Sequence, residues 1–162
     1  MHTSSLRNRG PRFAFAWTIL VLALGLLGPA PTARAEISAT DVTGRQIVLK
    51  EPARRILIDD GRYLIALSLI HPDPVSVLAA WPRDINRIGP AVYAQYAEKF
   101  PALETLKVTA SSAGNFSVEQ VLAAEPDLAV FSLTSRPSSE QIAQVEAAGI
   151  PVAIIDFFDQ PL

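Results

Sequence analysis

Few side chains in this sequence can do chemistry, and those that can fall into a small number of clusters. Asp59 and Asp60 are adjacent carboxylates, Arg62 follows them, and Tyr63 can pack or offer a hydrogen bond. Adjacent strand residues point to opposite faces, so the two aspartates read as turn residues rather than a catalytic pair. Trp81 closes the run "VSVLAAW", where it is either a core aromatic or a packing surface for a ligand. Asn115 ends the small polar loop "TASSAGN", and Arg136 lies in a further polar loop after Ser132. Guanidinium groups such as those of Arg62 and Arg136 suit anionic oxygens. Glu119 stands in the first turn of a predicted helix, where a carboxylate gains about 0.3–1 kcal/mol from the helix dipole.

What is missing narrows the chemistry. Cysteine is absent, which excludes thiol catalysis and thiolate metal sites. His71 is the only histidine after His2, and a bare transition-metal site usually draws on several imidazoles or thiolates. His71 precedes Pro72, where a helix-capping role is expected. The patterns G-x-S-x-G, G-x-G-x-x-G and the P-loop do not occur, so an exported α/β enzyme is the weaker alternative. A stand-alone interaction module is another. No resident cofactor is expected.

The elements that must hold these residues are legible in outline. "ATDVTGRQIVL" reads as a hairpin, Ala39–Val42 with Gln46–Leu49. Buried strands are expected over Arg54–Asp59, over "VSVLAAW", over "DLAVF" and over "IPVAIIDFF". A short strand is expected at Lys107–Val108. Helices are expected after Gly61, from Pro90, from Ser117 and from Ser138. Pro90 suits a first helical position. Ser117 with Gln120, and Ser138 with Gln141, are candidate capping boxes. Val118, Val121 and Leu122 should face the core, as should Ile142 and Val145. Val92, Tyr96 and Phe100 recur every fourth residue in the helix from Pro90. Alternating strands and helices with short links predict an α/β fold, a parallel sheet with helices on its faces and a hairpin before it. Ligands of such sheets bind beyond the carboxyl ends of the strands. Those ends carry Asp59–Arg62, Trp81–Asp84, the loop before Ser117, and Ser132–Arg136.

The stretch "FSVEQVLAAEPDLAVF" resembles a segment of periplasmic substrate-binding proteins of ABC importers, in the group that handles ferric siderophores, haem and cobalamin. "DVTGRQIVLKEPARRIL", the Trp81 loop and "VEAAGIPVAIID" agree with that family in the same order. The resemblance covers residues 36–162 and implies the N-terminal lobe of a two-lobed protein without a C-terminal lobe. A truncated sequence is expected over a natural single lobe. It implies capture of a ferric siderophore, haem or cobalamin-like ligand without a reaction, and delivery to a permease in the inner membrane. Glu119 would dock on permease arginines. Arg62, Tyr63, Trp81, Asn115 and Arg136 would line the ligand wall. Tyr63 could also serve as an oxygen ligand to haem iron, although a core role is the first expectation.

The first 35 residues are read as a cleaved export signal that leads to the periplasm. Arg7, Arg9 and Arg12 precede the apolar run Phe13–Leu27, and "ARA" follows. The run is 15 residues long, and a membrane span needs about 20. Cleavage removes four of the 14 basic residues and none of the 16 acidic ones, which leaves 10 against 16 and a net charge of −6. That balance argues against nucleic acid as a partner. Mass spectrometry of the exported protein should find Glu36 at the N-terminus. A membrane-retained product beginning at Met1 would contradict this.

Overall fold

The computed structural model describes residues 36–109, 116–134 and 136–156, without the side chains of residues 85 and 86. The expected export signal, Asn115 and the chain beyond residue 156 lie outside the described residues. Two sheets form. In the first, β1 (Ile37–Thr40) runs antiparallel to β2 (Gln46–Leu49). The sequence places the first strand over Ala39–Val42, but it ends at Thr40. The cause is Asp41, whose carboxylate accepts the N–H groups of Thr43 at 2.9 Å and Arg45 at 3.0 Å and folds the chain into a turn.

The second sheet holds β3 (Ile56–Ile58), β4 (Leu78–Trp81), β5 (Lys107–Val108), β6 (Leu128–Ser132) and β7 (Val152–Ile155). Its order is β5-β4-β3-β6-β7, and every pairing is parallel. β3 is shorter than the expected Arg54–Asp59. The N–H groups of Arg54 and Arg55 donate to the Asp127 carboxylate, at 2.7 and 2.9 Å, in place of a ladder. β4 starts late because Leu78 N–H closes a turn on the Val75 carbonyl. The hairpin is pinned to β7, since Ile154 N–H donates to Asp41 and Val42 N–H donates to the Ile154 carbonyl. This occupies backbone groups of an edge strand that would otherwise invite foreign strands.

The helices are α1 (Arg62–Ile70), α2 (Ile85–Ile88), α3 (Pro90–Lys99), α4 (Val118–Ala124) and α5 (Ser139–Ala147). Each starts for a local reason where the sequence supplies one. Pro90 opens α3. Ser117 caps α4 by accepting the N–H of Gln120, and Ser138 with Gln141 completes both arms of a capping box on α5. The N–H of His71 caps the end of α1 on the Leu67 carbonyl.

Side chains of the sheet alternate between two cores, as the period of a strand dictates. Leu57 and Phe131 face α4 and α5 with Val121, Ala124, Ile142 and Val145. Ile58 and Trp81 face the other helices with Leu64, Ile88 and Leu103. Burial of one such large side chain contributes about 1.5–3 kcal/mol. Leu122, expected on the apolar face of α4, is exposed, and Ala124 takes that place. On α3 the contacts come from Tyr93 and Tyr96 rather than Val92, with Phe100 just beyond. Leu69 and Ile70, at the end of α1, stand in solvent.

One close approach fixes the carboxyl ends of β3 and β4 relative to each other. Gly61 N–H donates to Asp84 Oδ1 at 2.8 Å. A Cβ on Gly61 would lie 2.4 Å from that oxygen, so a side chain there would displace the Asp84 carboxylate and break the bond.

Candidate functional site

The strand order decides where a ligand can sit. The chain leaves β3 towards β4 and β5, then returns to the opposite side of β3 to form β6. The carboxyl ends of β3 and β6 therefore face a crevice, the usual ligand position in open α/β sheets. Asp59 and Ser132 stand there, one on each strand end.

Asp59 is 2 % exposed. Its carboxylate accepts Ser132 N–H at 3.0 Å and lies 3.2 Å from Ser132 Oγ, which donates to it. The Tyr63 hydroxyl joins Ser132 Oγ at 2.8 Å. Asp60 points the other way. It is fully buried and accepts Arg62 Nε at 2.9 Å, Arg62 Nη2 at 2.5 Å and Arg87 Nη1 at 2.7 Å. The adjacent aspartates thus serve two different neighbourhoods, as their alternation requires. Burial works to raise the Asp60 carboxyl, but the hydrogen bonds and charge of Arg62, with the charge of Arg87, hold it below its ordinary value. Burial, aided by the charge of Asp60, pushes the Asp84 carboxyl up against the hydrogen bond from Gly61.

The loop ends of β4 and β5 carry unmet hydrogen-bonding capacity. Among the described residues, the buried side-chain polar atoms without a hydrogen-bond partner are Trp81 Nε1, Arg83 Nε and Thr109 Oγ1, together with Asp84 Oδ2, which is met instead by the charge of Arg87, whose Nε lies 3.2 Å away. All four lie at this end of the sheet. Buried polar groups ordinarily find a partner in protein, water or ligand. Arg83 also holds a left-handed backbone (φ 50), a conformation that costs a non-glycine residue free energy.

The residues singled out from the sequence are not gathered in one place. Arg62 is drawn into the Asp60 pair and keeps 31 % of its side chain exposed. Tyr63 is 3 % exposed, with its ring in the core and its hydroxyl on Ser132. Burial pushes its phenol up to about 12, which opposes the phenolate form that a metal ligand needs. Trp81 has no exposed surface and stacks on Tyr93 with ring centroids 6.1 Å apart, so direct contact with a ligand would require it to be uncovered. Arg136 lines a separate open hollow of about 300 Å³ with Thr43, Arg45, Ser139 and Glu146. Among the described residues it makes no hydrogen bond or ion pair. Glu119 is fully solvent-exposed, and a hydrogen bond from the Ser117 hydroxyl at 2.6 Å lowers its carboxyl from the ordinary value.

Sequence reasoning missed Arg87, Asp84, Ser132 and Thr109. The strand-end rule had already marked the loops of Asp84 and Ser132, but nothing local marks Arg87, which reaches Asp60 across 27 positions. No group of three or more His, Asp or Glu side chains able to hold a metal ion occurs among the described residues. No helix among them is long and apolar enough to cross a membrane.

No protein-family model matches the chain, and no curated protein matches it. Solved structures do. A TroA-like periplasmic binding protein, FepB from Veillonella parvula, is 27 % identical with a TM-score of 0.61 over 74 % of this chain and 36 % of its own. The haem-binding protein HmuT is 21 % identical with a TM-score of 0.50–0.51 over 80 % of this chain and 36–37 % of its own across its structures. CeuE from Helicobacter pylori, in a nickel–histidine complex, is 14 % identical with a TM-score of 0.52 over 75 % of this chain and 37 % of its own. The chain thus spans little more than a third of each neighbour, and it has the fold of part of a two-lobed TroA-like periplasmic binding protein. FepB and HmuT are both described as binding proteins. The α/β lobe with its parallel sheet and leading hairpin, and the resemblance to this group, are both borne out.

The buried phenol supplies a pH test. The folded state raises the Tyr63 pKa above its ordinary 10.0, so the neutral form stabilises the fold. That contribution is complete below pH 10 and is lost as pH rises towards 12, at about 1.4 kcal/mol for each pH unit crossed. Denaturant melts should show stability falling over this window, and Tyr63→Phe should flatten the fall. Parallel alkaline limbs in both proteins would contradict the assignment.

Proposed function

We propose that this chain is the N-terminal lobe of a periplasmic solute-binding protein that captures a ferric siderophore or a related metal chelate and delivers it to the permease of an ABC importer. The observation that carries this reading is the structural match to FepB, over 74 % of this chain and about a third of that protein. Neighbours described with haem and with a nickel–histidine complex favour a chelated metal as the solute. The site agrees with such a role. The partly exposed Arg62 and Arg87 lie beyond the carboxyl ends of the strands, where a sheet of this kind offers a ligand wall.

The work of such a protein is capture and presentation. Ligand held between two walls buries more surface than ligand on one, and closure of a second lobe removes its water. One lobe alone holds only part of the contacts, and each 1.4 kcal/mol lost weakens binding about tenfold. Glu119 has the properties of a docking residue, since it is ionised at neutral pH and reaches solvent without obstruction. Export through the N-terminal segment would place the lobe in the compartment where both solute and permease are met.

Two experiments test this. Trp81 becomes the only tryptophan once Trp17 is cleaved with the export segment, so its fluorescence reports chelate binding. Titration of residues 36–162 with haem and with ferric catecholate and hydroxamate complexes should give weak binding, tightened when a second lobe is supplied. Tight one-to-one binding by this chain alone would overturn the half-site reading, and no binding with either arrangement would overturn the solute role. In the two-lobed protein, Glu119→Arg should lower uptake through the permease severalfold while chelate affinity stays unchanged. Equal loss of both would assign Glu119 to the fold or the ligand wall, and unchanged uptake would leave only its place in the helix dipole.

A further inference from the structure

The chain just past β5 buries a hydroxyl that no protein group meets. Thr109 is 7 % exposed, and its N–H donates to the Trp81 carbonyl at 3.0 Å, which fixes the residue at the strand end. Its Oγ1 has no hydrogen-bond partner. A buried hydroxyl in that state costs about 1–3 kcal/mol of lost hydration. Beside it lies a small cavity of about 10 Å³, lined by Thr109, Asp59, Ser117 and Gln120 on its polar side and by Leu57 and Val121 on its apolar side. Cavities that stay empty are apolar, whereas a polar one of about 10–15 Å³ holds a single water with two to four polar partners. No group of acidic or imidazole side chains able to hold a metal ion occurs among the described residues, so the walls suit a neutral occupant.

We propose that this cavity binds one ordered water, which takes the Thr109 hydroxyl and the Asp59 carboxylate as partners with Gln120 beside it. A carboxylate accepts about four hydrogen bonds, so the two from Ser132 do not exhaust Asp59. In the order β5-β4-β3 the water spans β4, linking the end of the central strand to the end of the edge strand. It also lies against the first turn of α4, at Ser117 and Gln120. That helix carries Glu119, so the water is a polar joint between the crevice floor and the helix proposed to meet the permease. The site does not depend on which solute is bound.

Denaturant melts of the whole chain test the site through the sign of one substitution. Thr109→Val keeps the shape of the side chain and removes the hydroxyl. With the water in place the variant loses a bonded partner, and its folding equilibrium constant should fall about tenfold, a difference of about 1.4 kcal/mol. A hydroxyl buried without a partner would instead make Thr109→Val neutral or stabilising, and that result overturns the proposal. Replacing sodium and potassium by choline at constant ionic strength should leave stability unchanged. A loss confined to choline would assign the cavity to a small cation and overturn the water. NMR of the wild-type chain decides the case in which Thr109→Val does not fold. Nuclear Overhauser transfer from water to the methyl protons of Leu57 and Val121 should carry the sign of a water held for longer than the tumbling time. Absence of that transfer means a dry cavity and overturns the proposal.

Discussion

Strand β3 ends in two consecutive buried carboxylates, and much of this lobe is arranged to make that tolerable. Removing a carboxylate from water costs several kcal/mol unless partners replace its hydration. Asp59 takes its partners from Ser132 at the end of β6. Asp60 takes its own from Arg62 on α1 and Arg87 on α2. Two neighbouring side chains thus tie the central strand to one adjacent strand and two helices. Loss of a partner from such a buried pair costs about 3–5 kcal/mol, comparable to a large part of the stability of a small domain.

The same arrangement sets the chemistry available at the crevice. Groups needed to neutralise buried acids are cations and hydroxyls, and these line the strand ends. Arg62 and Arg87 remain about one-third exposed while their charges are partly spent inward. Gly61 lets the β4–α2 loop close onto the start of α1, which brings Asp84 and Arg87 into reach.

The hairpin and α4 use the same physics on a smaller scale. Asp41 gathers N–H groups from its own turn and from Ile154, so the hairpin is fastened to an edge strand by one carboxylate. Burial raises that carboxyl, and the hydrogen bonds from Thr43, Arg45 and Ile154 bring it below its ordinary value. Glu119 has the opposite situation, for its carboxylate accepts from the cap residue Ser117 within its own helical turn and stands open to solvent. Acids in this lobe are either bound into the fold or presented to the outside.

Local chemistry made most of the elements and their order legible in the sequence, although nothing there marked α2. Capping residues, prolines and the apolar period placed α1, α3, α4 and α5 and the buried strands, and the ordered resemblance pointed to the binding-protein group. Strand ends were less legible. Arg54, Arg55 and Val42 are β-compatible, but their backbone groups are claimed by Asp127 and Ile154, which lie far along the chain. Which candidate side chains stay exposed was settled by tertiary packing. Trp81 and Tyr63 look available at strand ends, yet the packing of α1 and α3 covers both. Arg87 looks like an ordinary helix-end charge until the β3–β4 pairing carries it to Asp60. A residue's own chemistry is written in its type, but its exposure and its partners are set by elements distant in sequence.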